Sequence, residues 1–311
     1  MRILGIETSH DDTSLAILED GKILQLSTIS QIDIFKEYGG TIPELASREH
    51  VKNIAVLQKI IFNKYPIETI DYVAYTKEPG LIGTLQIGFL FAYAIALSIN
   101  KLPIPINHLH GHLFSATIDQ DVEFPALCLL VSGGHTQLIL AHDVFDFDII
   151  GETLDDAVGE CFDKVAVKSG LGFPGGVLID KISQTYQGEY IKFSKPHTKN
   201  PYDFSFSGLK TQVLNYINNQ KMKNIDIDIN QVVASFQKTA IEYLCEKTTA
   251  VLNQYKVKTL ILGGGVSANS ELRKEFVKLH PNTIIPKLKY ATDNAAMIAQ
   301  AAYIRLTNKI Y

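Results

Sequence analysis

Three of the nine histidines in this chain fall within five positions, in His108-Leu109-His110-Gly111-His112. The run follows a short apolar stretch, Ile104 to Ile106, and reads as the opening of a helix. Helical residues four apart have Cβ atoms about 5–6 Å apart. His108 and His112 can therefore turn two imidazoles toward one metal ion, with His110 pointing elsewhere. Isolated histidines are usually solvated helix-end residues, and three crowded together weaken that alternative. A metal needs a third ligand. Asp293, in Tyr290-Ala291-Thr292-Asp293-Asn294-Ala295-Ala296, stands where the last helical pattern begins. On spacing alone Asp293 reads first as an N-cap and second as that ligand. A zinc protease of the H-E-x-x-H type would place its glutamate base directly after the first histidine, and Leu109 occupies that position.

Glycine loops and carboxylates form the second set. Gly170-Leu171-Gly172-Phe173-Pro174-Gly175 matches G-x-G-x-x-G but follows a helical pattern, Asp155 to Lys168, instead of joining a strand to a helix. It reads as a loop that a planar ligand can approach. Asp156, Glu160 and Asp163 recur at helical spacing before it, and Asp180 follows one turn after Gly176. A solvated acidic face is the ordinary reading of such a row; acceptance from ribose hydroxyls is the functional one. Gly263-Gly264-Gly265 precedes Asn269, which is either a ligand contact or the cap of the next helix.

Elements must hold these groups in place. Alternation at Arg2–Ile6, Thr13–Glu19 and Ile23–Ser27 predicts three antiparallel strands, with Asp20-Gly21 as a turn. Helix 43–62, strand 72–75, helix 82–99 and strand 104–106 follow. The order begins again with strands 126–132, 136–141 and 147–152, passes through a mostly helical stretch of 153–255, and resumes with strand 259–262, a helix from Ser270, strand 283–285 and a helix from Asp293. A repeated unit of this kind predicts an α/β fold of two related lobes around a nucleotide cleft, where the loops 7–12 and 132–135 would meet and offer backbone N–H groups to phosphate. A satisfied tight turn is the alternative for each loop. The expected division is 1–124 and 125–292, with the helix 293–311 able to pack back on the first lobe.

Composition narrows the class. With 311 residues, 46% hydrophobic and 20% charged, the chain has apolar surface enough for two packed domains and is not disordered. A net charge of −4 supplies no global basic field, so any nucleic acid must meet a local patch. Cys128, Cys161 and Cys245 are distant and lack C-x-x-C pairing, which fits a reducing compartment. The N-terminus resembles no signal peptide, and the longest apolar run, Phe89 to Ile99, is too short for a bilayer. A cytoplasmic location is expected.

Taken together the motifs resemble one family, the TsaD tRNA adenosine threonylcarbamoyltransferases, formerly described as O-sialoglycoprotein endopeptidases. The resemblance runs along nearly the whole chain. It is carried by Gly5-Ile6-Glu7-Thr8-Ser9, Tyr38 to Arg48, Asn107-His108, Gly111-His112, Val131 to Thr136, Leu154-Asp155-Asp156-Ala157, Phe162 to Val165, Phe173-Pro174-Gly175-Gly176, Phe204 to Thr211, Gly264 to Asn269 and Thr292-Asp293-Asn294. It implies the two-lobed, ribonuclease H-like fold of actin, Hsp70 chaperones and sugar kinases. It also implies one divalent metal, iron(II) first and zinc second, on His108, His112 and Asp293. Substrate contacts carry over to Val131, Ser132, Gly133, Gly134, His135, Asp163, Gly176, Asp180 and Asn269. The family pattern is departed from in three places: His10-Asp11-Asp12 where cysteine and an Asp-Glu pair are common, His110 for a glutamate, and Glu78 for a glycine. None is a proposed ligand.

The implied reaction moves threonylcarbamoyl from threonylcarbamoyl-AMP to the exocyclic amine of the adenosine 3′ of the anticodon, in tRNAs reading codons that begin with adenine, and releases AMP. Asp11 is the candidate base for the amine proton. An exposed aspartate, with a pKa of about 3.9, would need burial to serve well. Two alternatives stand beside this reading: another carbamoyl or phosphoryl transferase of the same fold, and a noncatalytic scaffold paralogue. For tRNA, Lys181, Lys192, Lys195, His197, Lys199 and Lys210, interleaved with Tyr186, Tyr190 and Tyr202, form the candidate patch, with a solvated surface as the equal alternative. The resemblance further implies a noncatalytic paralogue and a small ATPase as protein partners, and the helix around Glu44 to Arg48 is a surface that could serve one.

Overall fold

The computed structural model describes residues 1–144 and 146–308. The first three strands are β1 (Arg2–Glu7), β2 (Asp12–Glu19) and β3 (Lys22–Ser30), an antiparallel meander turned at Asp20-Gly21, both with positive φ. After α1 (Ile32–Phe35) comes α2 (Pro43–Lys64), which starts at a proline whose missing N–H costs nothing at a helix N-terminus. Its buried residues, Ala46, His50, Ile54, Leu57 and Ile61, recur every three or four positions and form one stripe. Burying each large aliphatic chain there contributes roughly 1.5–3 kcal/mol. Strand β4 (Tyr72–Glu78), helix α3 (Ile82–Ser98), strand β5 (Ile104–Asn107) and helix α4 (His108–Ser115) follow. The sheet order is β3-β2-β1-β4-β5, with β4 parallel to both β1 and β5.

The second sheet repeats this plan. Strands β6 (Ala126–Val131), β7 (Thr136–Ala141) and β8 (Phe147–Glu152) form the meander. Helices α5 (Val158–Lys168), α6 (Gly175–Thr185), α7 (Ser207–Met222) and α8 (Ile229–Gln254) occupy the long helical stretch. Then come β9 (Thr259–Gly263), α9 (Ser270–Phe276) and β10 (Thr283–Ile284), giving the order β10-β9-β6-β7-β8 with β9 parallel to β6 and β10. Every residue of β6, β7 and β9 is buried, as expected of strands covered on both faces. Gly264, at φ +85°, lies against the Val131 carbonyl, where a Cβ would come within 2.4 Å, so this glycine lets the end of β9 pack on β6. The chain closes with α10 (Leu288–Ala291) and α11 (Ala295–Thr307).

Two compact units result: Met1–Asp121 with Pro286–Tyr311, and Val122–Ile285. Residues 286–292 therefore belong with the first unit, not with the second as the strand-helix count suggested. The reason is α10 and its flank: Lys287 pairs with Asp119 at 2.8 Å, and Tyr290 sits in a core cluster with Ala16 and Ile118. Helix α11 packs on β1. A Cβ at Gly5 would meet the Ala295 carbonyl at 2.3 Å, so only glycine admits the helix this close. Residues 309–311 of the expected last helix lie outside the described residues. No described helix is long and apolar enough to cross a membrane.

Candidate metal centre and substrate residues

Asn107 ends β5 and caps α4, its side chain accepting from the Leu109 and His110 N–H groups. The cap fixes where the helix begins and so sets His108 and His112 one turn apart. Both imidazoles are buried and meet edge to face, with their Nε2 atoms 3.1 Å apart, while His110 is exposed. Asp293 joins them from just before α11. Its Oδ1 lies 3.1 Å from His112 Nε2 and 3.5 Å from His108 Nε2. The N-cap of α11 is Asn294, which accepts from the Met297 N–H. The cap reading of Asp293 is thereby corrected: its neighbour takes that role and leaves the aspartate to face the histidines.

Three donor atoms converging in this way form the group among the described residues suited to a metal ion. Ligand bonds of about 2.0–2.2 Å in a tetrahedral site put donor atoms about 3.3–3.5 Å apart. The separations here are 3.1, 3.1 and 3.5 Å, within about 0.2 Å of that spacing, so the residues fit such an ion after a small outward adjustment. Glu7, fully buried at the end of β1, supports the set: its Oε2 lies 3.1 Å from His108 Nδ1 and also accepts from Thr76 Oγ1. Turning Nδ1–H toward a carboxylate aims Nε2 at the centre, the usual outer partner of a metal-binding histidine. Motif reading did not single out Glu7 as a site residue; its place at the C-terminal end of the first strand was the available signal.

The two carboxylates beside His108 dominate the local electrostatics. Burial favours neutral His108, but the Asp293 and Glu7 carboxylates outweigh it and push the imidazole up to about 10. Burial would raise Asp293 and Glu7, yet His108 holds both below the usual carboxylate range, joined at Asp293 by His112.

The loop from β1 to β2 differs from expectation. Asp11 is only 18% exposed and its carboxylate faces His10 Nδ1 at 3.0 Å. At Asp12, burial, reinforced by Asp11, Asp293 and Glu7, raises the carboxyl to about 7 despite a hydrogen bond from Ser30. Asp12 Oδ1 is buried and has no hydrogen-bond partner among the described residues.

In the second unit, Ser132, Gly133, Gly134 and His135 form the β6–β7 turn after Val131. Two of the N–H groups expected to offer themselves to phosphate, those of Gly134 and His135, are directed at Ser132 Oγ, at 3.3 and 3.0 Å. This is the satisfied tight turn, with open space beside Gly133 and Gly134. The turn is tied to the start of α5 through Gly159 N–H to the Ser132 carbonyl and Val158 N–H to Thr136 Oγ1. The acidic row separates into distinct tasks. Asp156 pairs with Lys164 and Lys210, Glu160 with Lys164, and Asp163 accepts the Gly175 N–H that opens α6. Gly176 faces open space. Asn269 does cap α9, through the Leu272 N–H, and is joined to Asp180 by way of Gln237. Within the second unit the structure thus brings Asp180 and Asn269 together, while Asp163 and Gly176 mark the α5–α6 junction.

The candidate basic patch is partly spent internally. Lys195 pairs with Glu246 and Glu242, Lys210 with Asp156, and the ring of Tyr190 is covered by Lys238 at 4.1 Å. Lys181, Lys192, His197 and Lys199 are exposed.

Residues 22–300 match the family model described as tRNA N6-adenosine threonylcarbamoyltransferase, TsaD. A protein of that name from Mycoplasmopsis agalactiae is 63% identical over 309 residues, covering 99% of this chain and 100% of its own length. The chain belongs to the TsaD family. Other relatives of the same name are 60% identical in Mycoplasmopsis synoviae, over 98% of this chain and 99% of the relative, and 47% in Fusobacterium nucleatum, over 99% and 92%. Among solved structures, component A of (R)-2-hydroxyglutaryl-CoA dehydratase from Acidaminococcus fermentans has a TM-score of 0.61 at 15% identity, covering 99% of both chains. Full-length HypF has a TM-score of 0.63 at 13% identity, covering all of this chain and 47% of its own. At such identities the likeness shows the actin-like ATPase fold of this TsaD family member alone.

Proposed function

We propose that this transferase moves the threonylcarbamoyl group of threonylcarbamoyl-AMP to the N6 amine of the adenosine 3′ of the anticodon, in tRNAs reading codons that begin with adenine. The observation that carries the reading is the convergence of His108, His112 and Asp293 in a chain of this family. Two buried imidazoles facing a carboxylate argue against the noncatalytic scaffold.

In the reaction N6 attacks the carbamoyl carbon, the new C–N bond forms, the bond from that carbon to the phosphate oxygen breaks, and AMP leaves while the amine gives up a proton. An adenine amine is a poor nucleophile, so positioning and charge stabilisation must do most of the work. His108, His112 and Asp293 would hold one divalent ion, iron(II) or zinc, which when bound would supply a Lewis-acid charge for polarising the carbonyl. Glu7 orients His108 for that task. Residues Val131 to His135, Asp163, Gly176, Asp180 and Asn269 would hold the AMP portion. Asp11 is assigned the amine proton, with Asp12, the acid held near neutral pKa, as its competitor. A noncatalytic paralogue and a small ATPase are proposed as partners, and the cytoplasm as the location.

The decisive test is incubation with tRNA and threonylcarbamoyl-AMP, with and without those partners, followed by nucleoside mass analysis. Threonylcarbamoyladenosine with stoichiometric AMP is expected. Its absence in every combination sinks the reading, and phosphate transfer from ATP would replace it with a kinase.

A further inference from the structure

Gln237 lies in the middle of α8, is completely buried and belongs to none of the motifs that suggested a substrate site. Both of its N–H donors and its carbonyl oxygen are engaged. Nε2 donates to Asp180 Oδ1 at 3.2 Å and to Glu271 Oε2 at 3.1 Å, and Oε1 accepts from Asn269 Nδ2 at 2.8 Å. Two carboxylates can only accept, so the amino group must face them and the carbonyl must face Asn269. That choice then fixes Asn269, whose Oδ1 turns to the Leu272 N–H. Asp180 is held at both oxygens: Oδ1 also accepts from Ser270 Oγ at 2.8 Å, and Oδ2 from Ser270 N–H and Gln184 Nε2. One buried side chain on α8 thus bonds to Asp180 on α6 and orients Asn269 before α9.

We infer that Gln237 is a positioning residue for the nucleoside end of the AMP-bearing substrate, acting through Asn269. This rests on the proposed assignment of Asn269 to substrate contact. An asparagine has two N–H donors and two acceptor positions, and Asn269 commits one of each internally, so one of each stays available to a ligand in an orientation Gln237 dictates. The neutral amide also keeps Asp180 and Glu271 bonded to a shared donor without adding charge, a condition that neither glutamate nor lysine at 237 would satisfy.

The test uses the full chain with its metal and partners, AMP as the binding probe and threonylcarbamoyl-AMP as the kinetic substrate. Gln237→Met, similar in volume but without hydrogen bonds, is expected to weaken AMP binding and raise KM at least tenfold, with kcat within threefold and metal content unchanged. In an Asn269→Ala background the same substitution should lose most of its effect on AMP affinity, because its route to the ligand is gone. Additive effects in that cycle, or AMP affinity within twofold of wild type, overturn the inference. Should Gln237→Met not fold, Gln237→Asn carries the same test, its shortened amide expected to give a smaller loss in the same parameters. If wild type binds AMP but transfers nothing to tRNA, the proposed function fails while the AMP-binding cycle still decides the role of Gln237.

Discussion

At the scale of single residues the metal site makes two predictions. His112→Ala removes a donor 3.1 Å from both of its partners, and Asp293→Asn exchanges the carboxylate for a neutral amide; in each, metal content per chain, measured after purification with added iron or zinc, should fall from near one to near zero. Glu7→Gln leaves the donors in place but exchanges a carboxylate for an amide beside His108 Nδ1. Loss of such an outer partner typically weakens metal binding about 10–100-fold, which a chelator competition would read. Asp12 supplies the pH prediction. With its folded pKa raised to about 7 from an ordinary 3.8, the folded chain holds a proton between those values that the unfolded chain has released. Its stabilising effect is full below the lower value and is lost as pH rises through the upper one. Asp12→Asn should therefore gain on wild type as pH climbs from 4 to 8, by on the order of 1–3 kcal/mol in denaturant titrations of chelator-treated protein. A constant difference across that range would refute the shift.

Elements explain both what the sequence made legible and what it hid. Short apolar runs bounded by turn signals, as at Asp20-Gly21, located the two meanders to within a few residues. The histidine pair was legible for a similar reason, since spacing along one helix is fixed by its geometry. What escaped was contact across long separations. Nothing local tells whether Asp293 or Asn294 caps α11, and the answer comes from the packing of that helix on β1, 290 residues away in the chain. Glu7 and Gln237 escaped for the same cause: each acts through partners on other elements. The α11–β1 approach can be tested directly. Gly5→Ala puts a methyl 2.3 Å from the Ala295 carbonyl, and overpacking of this kind costs about 1–3 kcal/mol. Because α11 must shift to relieve it, Asp293 should shift too, and metal affinity should fall although residue 5 touches no ligand. Stability lost with metal affinity intact would mean the strain is absorbed elsewhere.

For the molecule as a whole, a net charge of −4 must be reconciled with a tRNA substrate. The proposed patch in the second unit carries less free charge than its sequence suggests, because Lys195 and Lys210 each neutralise acids of their own unit. Lys181, Lys192 and Lys199 remain exposed and are the ones that could release counterions from phosphate. Single-stranded and duplex nucleic acids lose affinity with salt at a slope of roughly 0.7–0.9 per phosphate neutralised. Reversing all three lysines to glutamate should then flatten the plot of log affinity against log salt by about two units and weaken tRNA binding at least tenfold near physiological salt. AMP binding should be unaffected, since none of the three belongs to the proposed AMP contacts. Reversal of Lys195 serves as the internal control: its charge is already paired with Glu246, so it should destabilise the chain more than it changes the salt slope. If the triple reversal leaves both slope and affinity unchanged, this face is a solvated surface, and the cations that recognise tRNA lie elsewhere on the chain or on a partner protein.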